Sequence, residues 1–364
     1  TTPDHPTHLT SRRLGERMRI RKTISAALLA AVMLAGCSGT SGTWVPHADG
    51  PRGPEASDKD NPADRTKNIT DVLTELRDVD PCALLDREVI KTLTKVSVGP
   101  HLPGRHLSEC HVDTDIDEYT IGWSFGVDVG QLFHPAKQTQ QEKINDEDYY
   151  TATDDTACSY TRLVSPAVGV TLTTIAPLSN DGDDPCDMAK AYLTKAGATF
   201  TDLPRRDQQL TKPQIPLAGH DPCETAPEVA KALHAETTSQ PIRPYLCSID
   251  PKPPAEDSPL AGQELTIAYE FKPDPRDDLP NPGASPLPDG ANLGDMTPVT
   301  IAGHRGTQFD GTGDLGCGID LVVNEKTVLK DDTITYVQVM STLAKDCGIS
   351  KRAAEAVMAR LDRT

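Results

Sequence analysis

Aromatic residues are scarce in this chain, at 4% of its 364 residues, whereas it contains 31 prolines and 26 glycines. Because large aromatic side chains supply much of the apolar area that a fold buries, their shortage predicts hydrophobic cores of modest size. About 300 residues are available for folding beyond the N-terminal segments, which fits two domains better than one. We therefore expect two small cores that depend on covalent cross-links.

The apolar run near the N-terminus is too short to span a bilayer, which requires about 20 residues. It extends from Thr23 to Leu34, follows three basic residues and ends in Leu34-Ala35-Gly36-Cys37. This order is typical of a signal peptide with a lipobox; the alternative is a buried helix with a chance cysteine. We expect residues 1–36 to be an upstream extension plus lipoprotein signal peptide, with Met18 as a candidate start of translation.

Basic residues are also few. The chain has 36 Lys and Arg against 54 Asp and Glu, and the segment before Cys37 contains six of the former and two of the latter, which leaves 30 against 52, or −22. Such an acidic surface argues against nucleic acid as a partner and against electrostatic binding of a polybasic segment to anionic lipid. Membrane attachment must then come from acyl chains on Cys37, which would place the protein on the extracytoplasmic face of the cell membrane.

Familiar catalytic patterns are missing. The sequence contains no G-x-S-x-G and no H-E-x-x-H. Gly311 to Gly316 satisfies G-x-G-x-x-G, but a strand-like segment follows it where a dinucleotide site requires a helix. We therefore predict a glycine turn, no cofactor and no catalytic residue, although an enzyme built from scattered residues would leave no local trace.

Two segments contain residues that bind metals in other proteins. Asn180 to Asp184 resembles part of a calcium loop but lacks the distal glutamate. His101, His106 and His111 lie within eleven residues, yet no carboxylate or uncommitted cysteine completes a usual zinc set. We predict no metal site at either segment.

Nine cysteines are present, and eight remain once Cys37 is assigned to lipid. An even number in an exported chain predicts four disulfides. They fall into two sets with one order, in which a cysteine opens a helix, two cysteines lie in strands and a fourth opens another helix. The sets are Cys82, Cys110, Cys158 and Cys186, then Cys223, Cys247, Cys317 and Cys347.

The order of the cysteines thus predicts an internal duplication, with one structural unit present in two copies. Residues 120–125 and 266–271 each follow the second cysteine of their set, and both alternate apolar with small or polar residues, as half-buried strands do. We predict a flexible tether at 37–66 beginning with the lipidated cysteine, and two α+β repeats at 67–204 and 205–364. Each repeat should be an antiparallel sheet with flanking helices and two disulfides.

Asp-Pro-Cys occurs three times, at residues 80–82, 184–186 and 221–223. An aspartate before a proline is a favourable helix N-cap, and the proline loses nothing because its missing N–H would be unpaired anyway. Asp346 precedes the fourth helix without a proline. Each helix-opening cysteine could then be joined to its neighbour in sequence, which is our preferred pairing; the alternative joins first to fourth and second to third within each set.

Several segments resemble the actinobacterial lipoproteins grouped as domain of unknown function 3558. They are VDPCALLDREVI, the glycine turn and cysteine-containing strand in VTIAGHRGTQFDGTGDLGCGIDLVV, and the closing helices CDMAKAYLTKA and CGISKRAAEAVMARL. His111 and Ser248 stand where that family usually has an aromatic residue. The resemblance covers most of residues 70–364, as two copies where one is usual, and it implies no catalytic residue.

Taken together, these features predict a non-catalytic, lipid-anchored binding module for a small molecule, lipid or cell-wall fragment. The alternative is a structural or protein-interaction lipoprotein of the cell envelope, with an envelope enzyme as a third candidate. A pocket would favour binding, an exposed apolar patch of several hundred Å² would favour protein docking, and titratable side chains converging in a cleft would favour an enzyme.

Overall fold

The computed structural model of the protein describes residues 62–117, 120–133, 140–154, 156–177, 184–208, 210–211, 215–252, 264–276, 296–310, 316–331 and 334–363. The predicted signal peptide, Cys37, the calcium-like residues 180–183 and most of the glycine turn at 311–316 lie outside the described residues. Residues 60–364 form one compact unit, which contains both predicted repeats.

A helix, α1 (Pro62–Leu76), begins inside the segment predicted as a tether. That prediction was wrong for residues 62–66. Ile69, Val72, Leu73 and Leu76 follow the three- and four-residue spacing of an apolar helical stripe, and Leu73 and Leu76 are buried in the core of the first repeat. The helix is therefore held by packing.

The first Asp-Pro-Cys opens a 3₁₀ turn, Pro81–Leu84, whereas the sequence PCALLDREVIKTL predicts one continuous helix that begins at Cys82. A second helix, α2 (Arg87–Thr94), follows, with Asp86 accepting from Glu88 N and Val89 N. The Tyr192 hydroxyl holds the break because it accepts from Asp86 N and donates to Leu84 O, both at 2.7 Å. A second N-cap thus divides the predicted helix.

The first sheet has eight antiparallel strands in the order β1-β3-β4-β8-β7-β6-β5, with β2 also paired to β3. The strands are β1 (Ser97–Val98), β2 (Leu102–Pro103), β3 (Glu109–Asp117), β4 (Thr120–Leu132), β5 (Gln140–Ile144), β6 (Glu147–Thr153), β7 (Ala157–Ser165) and β8 (Val168–Ile175). Helix α3 (Pro185–Thr201) follows and packs on β7 and β8.

The second sheet has seven antiparallel strands in the order β12-β13-β14-β15-β11-β10-β9. They are β9 (Thr237–Arg243), β10 (Leu246–Pro251), β11 (Leu265–Pro273), β12 (Met296–Ile301), β13 (His304–Asp310), β14 (Cys317–Asp331) and β15 (Ile334–Ala344). A 3₁₀ turn, Pro222–Thr225, and α4 (Ala226–Leu233) precede them, and α5 (Cys347–Leu361) closes the chain on β14 and β15.

Read from β3 and from β10, the two sheets have the same strand order, β3-β4-β8-β7-β6-β5 and β10-β11-β15-β14-β13-β12. The predicted α+β fold class, with two antiparallel sheets and flanking helices, is confirmed. The four helix caps are confirmed as well, since the Asp80, Asp184 and Asp221 side chains each accept from the N–H of the following cysteine and Asp346 accepts from Ile349 N.

The disulfides follow the preferred pairing of neighbours. They are Cys82–Cys110, Cys158–Cys186, Cys223–Cys247 and Cys317–Cys347, with sequence separations of 28, 28, 24 and 30 residues. In every case a cysteine in the first turn of a helix or 3₁₀ turn is joined to a strand of its own sheet. Each bond closes a loop of a size that the chain-entropy model values at about 3–4 kcal/mol.

The two matched strands are buried more completely than the alternating pattern predicts. Trp123 and Phe125 of β4 and Tyr269 and Phe271 of β11 face the cores as expected. The opposite face is also covered, however, since Ser124 is only 8% exposed and Glu270 only 3%. Glu270 is covered because Arg105 and His106 of the first repeat lie against it. No helix in the described part of the chain has the length and apolar composition to cross a membrane.

A candidate ligand pocket between the repeats

Arg77, just after α1, ties the two repeats together. Its Nε donates to Pro244 O at 2.7 Å, and its Nη2 lies 2.7 Å from Asp221 Oδ2, the N-cap of the second repeat. The Tyr245 hydroxyl donates in turn to Arg77 O at 2.6 Å. Gly130 marks how closely the repeats approach, because a Cβ there would lie 2.5 Å from the Pro244 ring. The junction is thus a packed, hydrogen-bonded interface.

The connector between the repeats contributes Arg206 to this junction. Its Nε donates to Arg77 O at 3.2 Å and its Nη2 to Leu107 O at 2.5 Å, while the guanidinium carbon lies 5.8 Å from the centroid of the Tyr245 ring. These contacts fix the guanidinium in place. No carboxylate in the described part of the chain lies within 4.0 Å of it, so its charge faces only neutral acceptors.

An open pocket lies beside Arg206 at the same junction. Its empty volume is about 420 Å³, solvent at the mouth included. We call it the junction pocket; its lining residues are Asp80, Pro81, Cys82, His101, Pro103, His106, Leu107, Glu109, Arg206, Thr211, Ile215 and Phe271. Residues of both repeats and of the connector therefore contribute to one concave surface.

Two of the three histidines singled out in the sequence line this pocket, while His111 does not. The Nε2 of His101 lies 2.7 Å from Leu85 O and must donate to it, because a carbonyl only accepts. Burial lowers the pKa of His106 from 6.5 to about 4, with Arg243 adding to that shift and Glu109 opposing it. His106 is therefore neutral near pH 7, and its buried Nδ1 has no hydrogen-bond partner among the described residues.

Glu109, which lines the pocket, forms a charged cluster with Asp128, which is not among the lining residues. Arg243 of the second repeat contacts both, with its Nη1 2.5 Å from Glu109 Oε1 and 2.9 Å from Asp128 Oδ2. The other Glu109 oxygen accepts from Arg105 N at 2.8 Å. Burial raises the pKa of Asp128 to about 7, with Arg243 opposing the shift and Glu109 adding to it. Arg243 thus forms ion pairs with both carboxyl groups, and Asp128 retains a proton near pH 7.

A second charged cluster lies on the polar face of the second sheet. Lys272 Nζ donates to Asp320 Oδ2 at 2.9 Å and to Ser341 Oγ at 3.2 Å, and it forms an ion pair with Glu270 at 2.5 Å. The other oxygen of Glu270 lies 3.8 Å from Arg105 Nε and from His106 Nδ1. This contact explains why the loop at residues 104–107 covers Glu270.

Neither cluster is arranged for nucleophilic catalysis. Burial disfavours the charge on Lys272, but Glu270 and Asp320 outweigh burial and raise its pKa, so the amine stays protonated and cannot act as a base for Ser341. In the junction pocket, the Thr211 hydroxyl donates to Asp80 Oδ2 at 2.5 Å. The polar groups are held in fixed positions by one another, an arrangement suited to binding.

Metal binding finds little support in the described residues. One group of three potential ligands, Asp310, Cys317 and Cys347, lies close together. Both cysteines are joined in a disulfide, so neither offers a thiolate. His101 and His106 do not belong to such a group.

The sequence did not point to Arg206, Thr211 or Phe271 as site residues. Arg206 lies in the connector LPRRDQQL, whose composition resembles that of any exposed linker. Its partners are backbone carbonyls 99 and 129 positions away. Such contacts leave no local pattern that could have identified the residue.

Comparisons with protein-family models, curated proteins and solved structures found no match to this chain. The resemblance to domain of unknown function 3558 therefore stays a prediction, and the chemistry of the junction pocket rests on its own geometry.

Proposed function

We propose that this protein is a non-catalytic binding module held at the extracytoplasmic face of the cell membrane by a lipid on Cys37. Its ligand, a small molecule, lipid or cell-wall fragment, occupies the junction pocket. The observation that carries the proposal is the pocket itself: an open cavity at the meeting of two repeats, where apolar walls and fixed polar groups converge.

Rigidity of the pocket supports this function. Its walls are attached to the Cys82–Cys110 disulfide, to the Asp80 cap and to the hydrogen bonds of Arg206. A site whose groups are already in place loses little conformational entropy when a ligand binds.

Protein docking, the alternative from the sequence, has less support. Among the described residues, the exposed large apolar side chains are Leu210 at 59% and Leu343 at 38%. Two separate residues do not form an apolar patch of the size that marks a docking surface. An envelope enzyme has less support still, because His106 is neutral, Glu109 is bound in an ion pair, and Asp80 and Arg206 are held by hydrogen bonds to other groups of the protein.

The proposal includes export of the protein from the cytoplasm and its origin by internal duplication. Four disulfides are expected in a protein that matures outside the cytoplasm. The shared strand order of the two sheets supports an origin by internal duplication. Duplication would also account for a ligand site that neither repeat forms alone.

The test compares native and denaturing mass spectra of the purified protein. We expect a small-molecule adduct in the native spectrum that disappears on denaturation. Ile215→Trp, which would fill the pocket, should abolish the adduct, whereas Leu210→Trp, at an exposed position outside the pocket lining, should retain it. An adduct that survives Ile215→Trp, or a bare protein under all conditions, would contradict the proposal.

A further inference from the structure

We propose that the junction pocket recognises an anionic ligand, with a carboxylate or phosphate group on a short apolar body, and that Arg206 is the residue that binds its charge. This inference rests on the proposed function and adds the chemical class of the ligand. It follows from the charge state of the junction, the position of Arg206 and the nature of the opposite wall.

Other arginines at the junction lie close to carboxylates. The ion pairs are Arg77 with Asp221 at 2.7 Å, Arg205 with Asp78 at 2.5 Å, Arg243 with Glu109 and Asp128, and Arg105 with Glu270 at 3.8 Å. In a chain with 54 acidic and 36 basic residues, carboxylates are in excess. Arg206, the arginine that lines the pocket, nevertheless has no carboxylate partner among the described residues.

Arg206 is also prepared to hold a ligand. A guanidinium has five N–H donors, and backbone carbonyls accept from two of its nitrogens. Contact with the Tyr245 ring restrains its plane. Because the carbonyls are neutral, they fix the group without cancelling its charge, so an anion that enters the pocket would gain a charge-assisted hydrogen bond to an arginine that is already ordered.

The carboxylates in the pocket do not offset this preference fully. Asp80 accepts from Cys82 N and from Thr211, and Glu109 forms an ion pair with Arg243 while it accepts from Arg105 N. Glu109 is thus compensated by a cation, and the Asp80 side chain is covered, since the residue is only 4% exposed. Arg206 is half-buried, so its charge is the one that a ligand could reach and pair with.

The apolar part of the ligand has a matching surface. Leu107, Ile215 and Phe271 line the same pocket and belong to, or pack against, the core of the second repeat. These side chains cannot satisfy a polar group, but they can bury a short alkyl or aryl segment. The combination of a fixed cation with an apolar wall favours a small amphiphilic anion over a sugar or a free inorganic ion.

The experiment measures binding of hexanoate, hexyl phosphate and the neutral hexanamide to the purified full chain by calorimetry at pH 7 and low salt. We expect one of the two anions to bind about 10-fold or more tightly than hexanamide, as charge-assisted hydrogen bonds do. The anion that binds better distinguishes a carboxylate ligand from a phosphate ligand. Equal binding of hexanamide and both anions would overturn the inference.

Two variants assign the charge to its residue. Arg206→Gln should remove the preference for the anion, whereas Arg205→Gln, a change at the neighbouring exposed arginine that does not line the pocket, should keep it. If Arg206→Gln does not fold, as judged by circular dichroism, the wild-type comparison with hexanamide decides. A folded Arg206→Gln that keeps the preference would show that another group recognises the anion.

Failure of this inference and failure of the proposed function give different results. If hexanamide binds as tightly as the anions and Ile215→Trp blocks it, the pocket binds ligands but does not select anions. If none of the three probes binds and the native spectrum shows no adduct, both the inference and the proposed function are wrong.

Discussion

Arg243 Nη1 lies 2.5 Å from Glu109 Oε1 and 2.9 Å from Asp128 Oδ2, so one cation of the second repeat holds two carboxylates of the first. Two half-buried negative charges with one positive charge are unfavourable unless one carboxyl is protonated. The proton stays on Asp128, whose pKa burial raises to about 7. The junction between the repeats is therefore linked to pH.

The first prediction concerns Asp128. Its folded pKa of about 7 lies above the ordinary 3.8, so the folded protein retains a proton that the unfolded chain releases. The associated stability is fully present below pH 3.8 and is lost as pH rises through 7. Asp128→Asn cannot titrate, so its cost in unfolding free energy should be roughly 1–3 kcal/mol larger at pH 5 than at pH 8, measured by urea denaturation.

Asp148→Asn is the matched control, because Asp148 is an exposed carboxylate that pairs with Lys143 at 3.6 Å. Its effect on stability should be small and should differ little between the two pH values. A cost of Asp128→Asn that is equal at pH 5 and pH 8 would contradict the assignment of the proton to Asp128.

The second prediction concerns His106 and has the opposite sign. Its pKa is lowered to about 4, so the unfolded chain takes up a proton below pH 6.5 that the folded protein does not accept. Stability is then lost as pH falls from 6.5 to 4. As pH falls from 7 to 5, the unfolding free energy of His106→Gln should therefore rise by roughly 1–2 kcal/mol relative to that of the wild type, measured in the same urea experiment.

The two groups share neighbours, since Glu109 and Arg243 act on both, and Arg105 and Lys272 act further on His106. Between pH 4 and 6.5 the two groups change the unfolding free energy in opposite directions as pH rises. The unfolding free energy of the wild type should therefore depend less on pH in this range than that of either single variant. The double variant should return towards the wild-type slope. A single variant with the wild-type slope would show that the residue it replaces does not titrate as stated.

Local chemistry explains which parts of the fold could be predicted from the sequence. Asp-Pro-Cys specifies a cap, a first turn and a cross-link within three residues, and all three occurrences form them. The break after Leu84 was missed because Asp86 can be read as a helix interior residue or as a cap, and the contact with Tyr192, 106 positions away, decides. Helix α1 was missed because its four apolar residues follow a long polar segment.

The candidate site could be predicted only in part. His101 and His106 were considered as metal ligands and predicted not to bind a metal, and the structure places both in the lining of the junction pocket. Arg206 depends on carbonyls and on Tyr245 in distant segments. Contacts at the junction arise from the docking of two repeats, and a repeat pattern does not specify how its copies dock.

The third prediction concerns the cross-links. Replacing both cysteines of one bond by alanine should lower the unfolding free energy by about 3–4 kcal/mol. Cys158–Cys186 and Cys317–Cys347 close loops of 28 and 30 residues, so their removal should have similar effects in urea denaturation. Peptide mapping without reduction should recover the four neighbour pairs. A peptide that joins Cys82 to Cys186 would support the first-to-fourth alternative.

The fourth prediction concerns Cys37, whose thiol is the expected attachment point of diacylglycerol. Cells that produce the protein with labelled palmitate should incorporate label into the wild type and place it in the membrane fraction, because two or more acyl chains anchor a protein stably. Cys37→Ser should remove both the label and the membrane association, since serine cannot form the thioether.

Ser38→Ala is the matched control, as it changes the next residue and leaves Leu34-Ala35-Gly36-Cys37 intact. Because the surface from Cys37 onward is strongly acidic, electrostatic attraction to anionic lipid cannot replace the anchor. A Cys37→Ser protein that remains with the membrane would therefore show that a different segment attaches it.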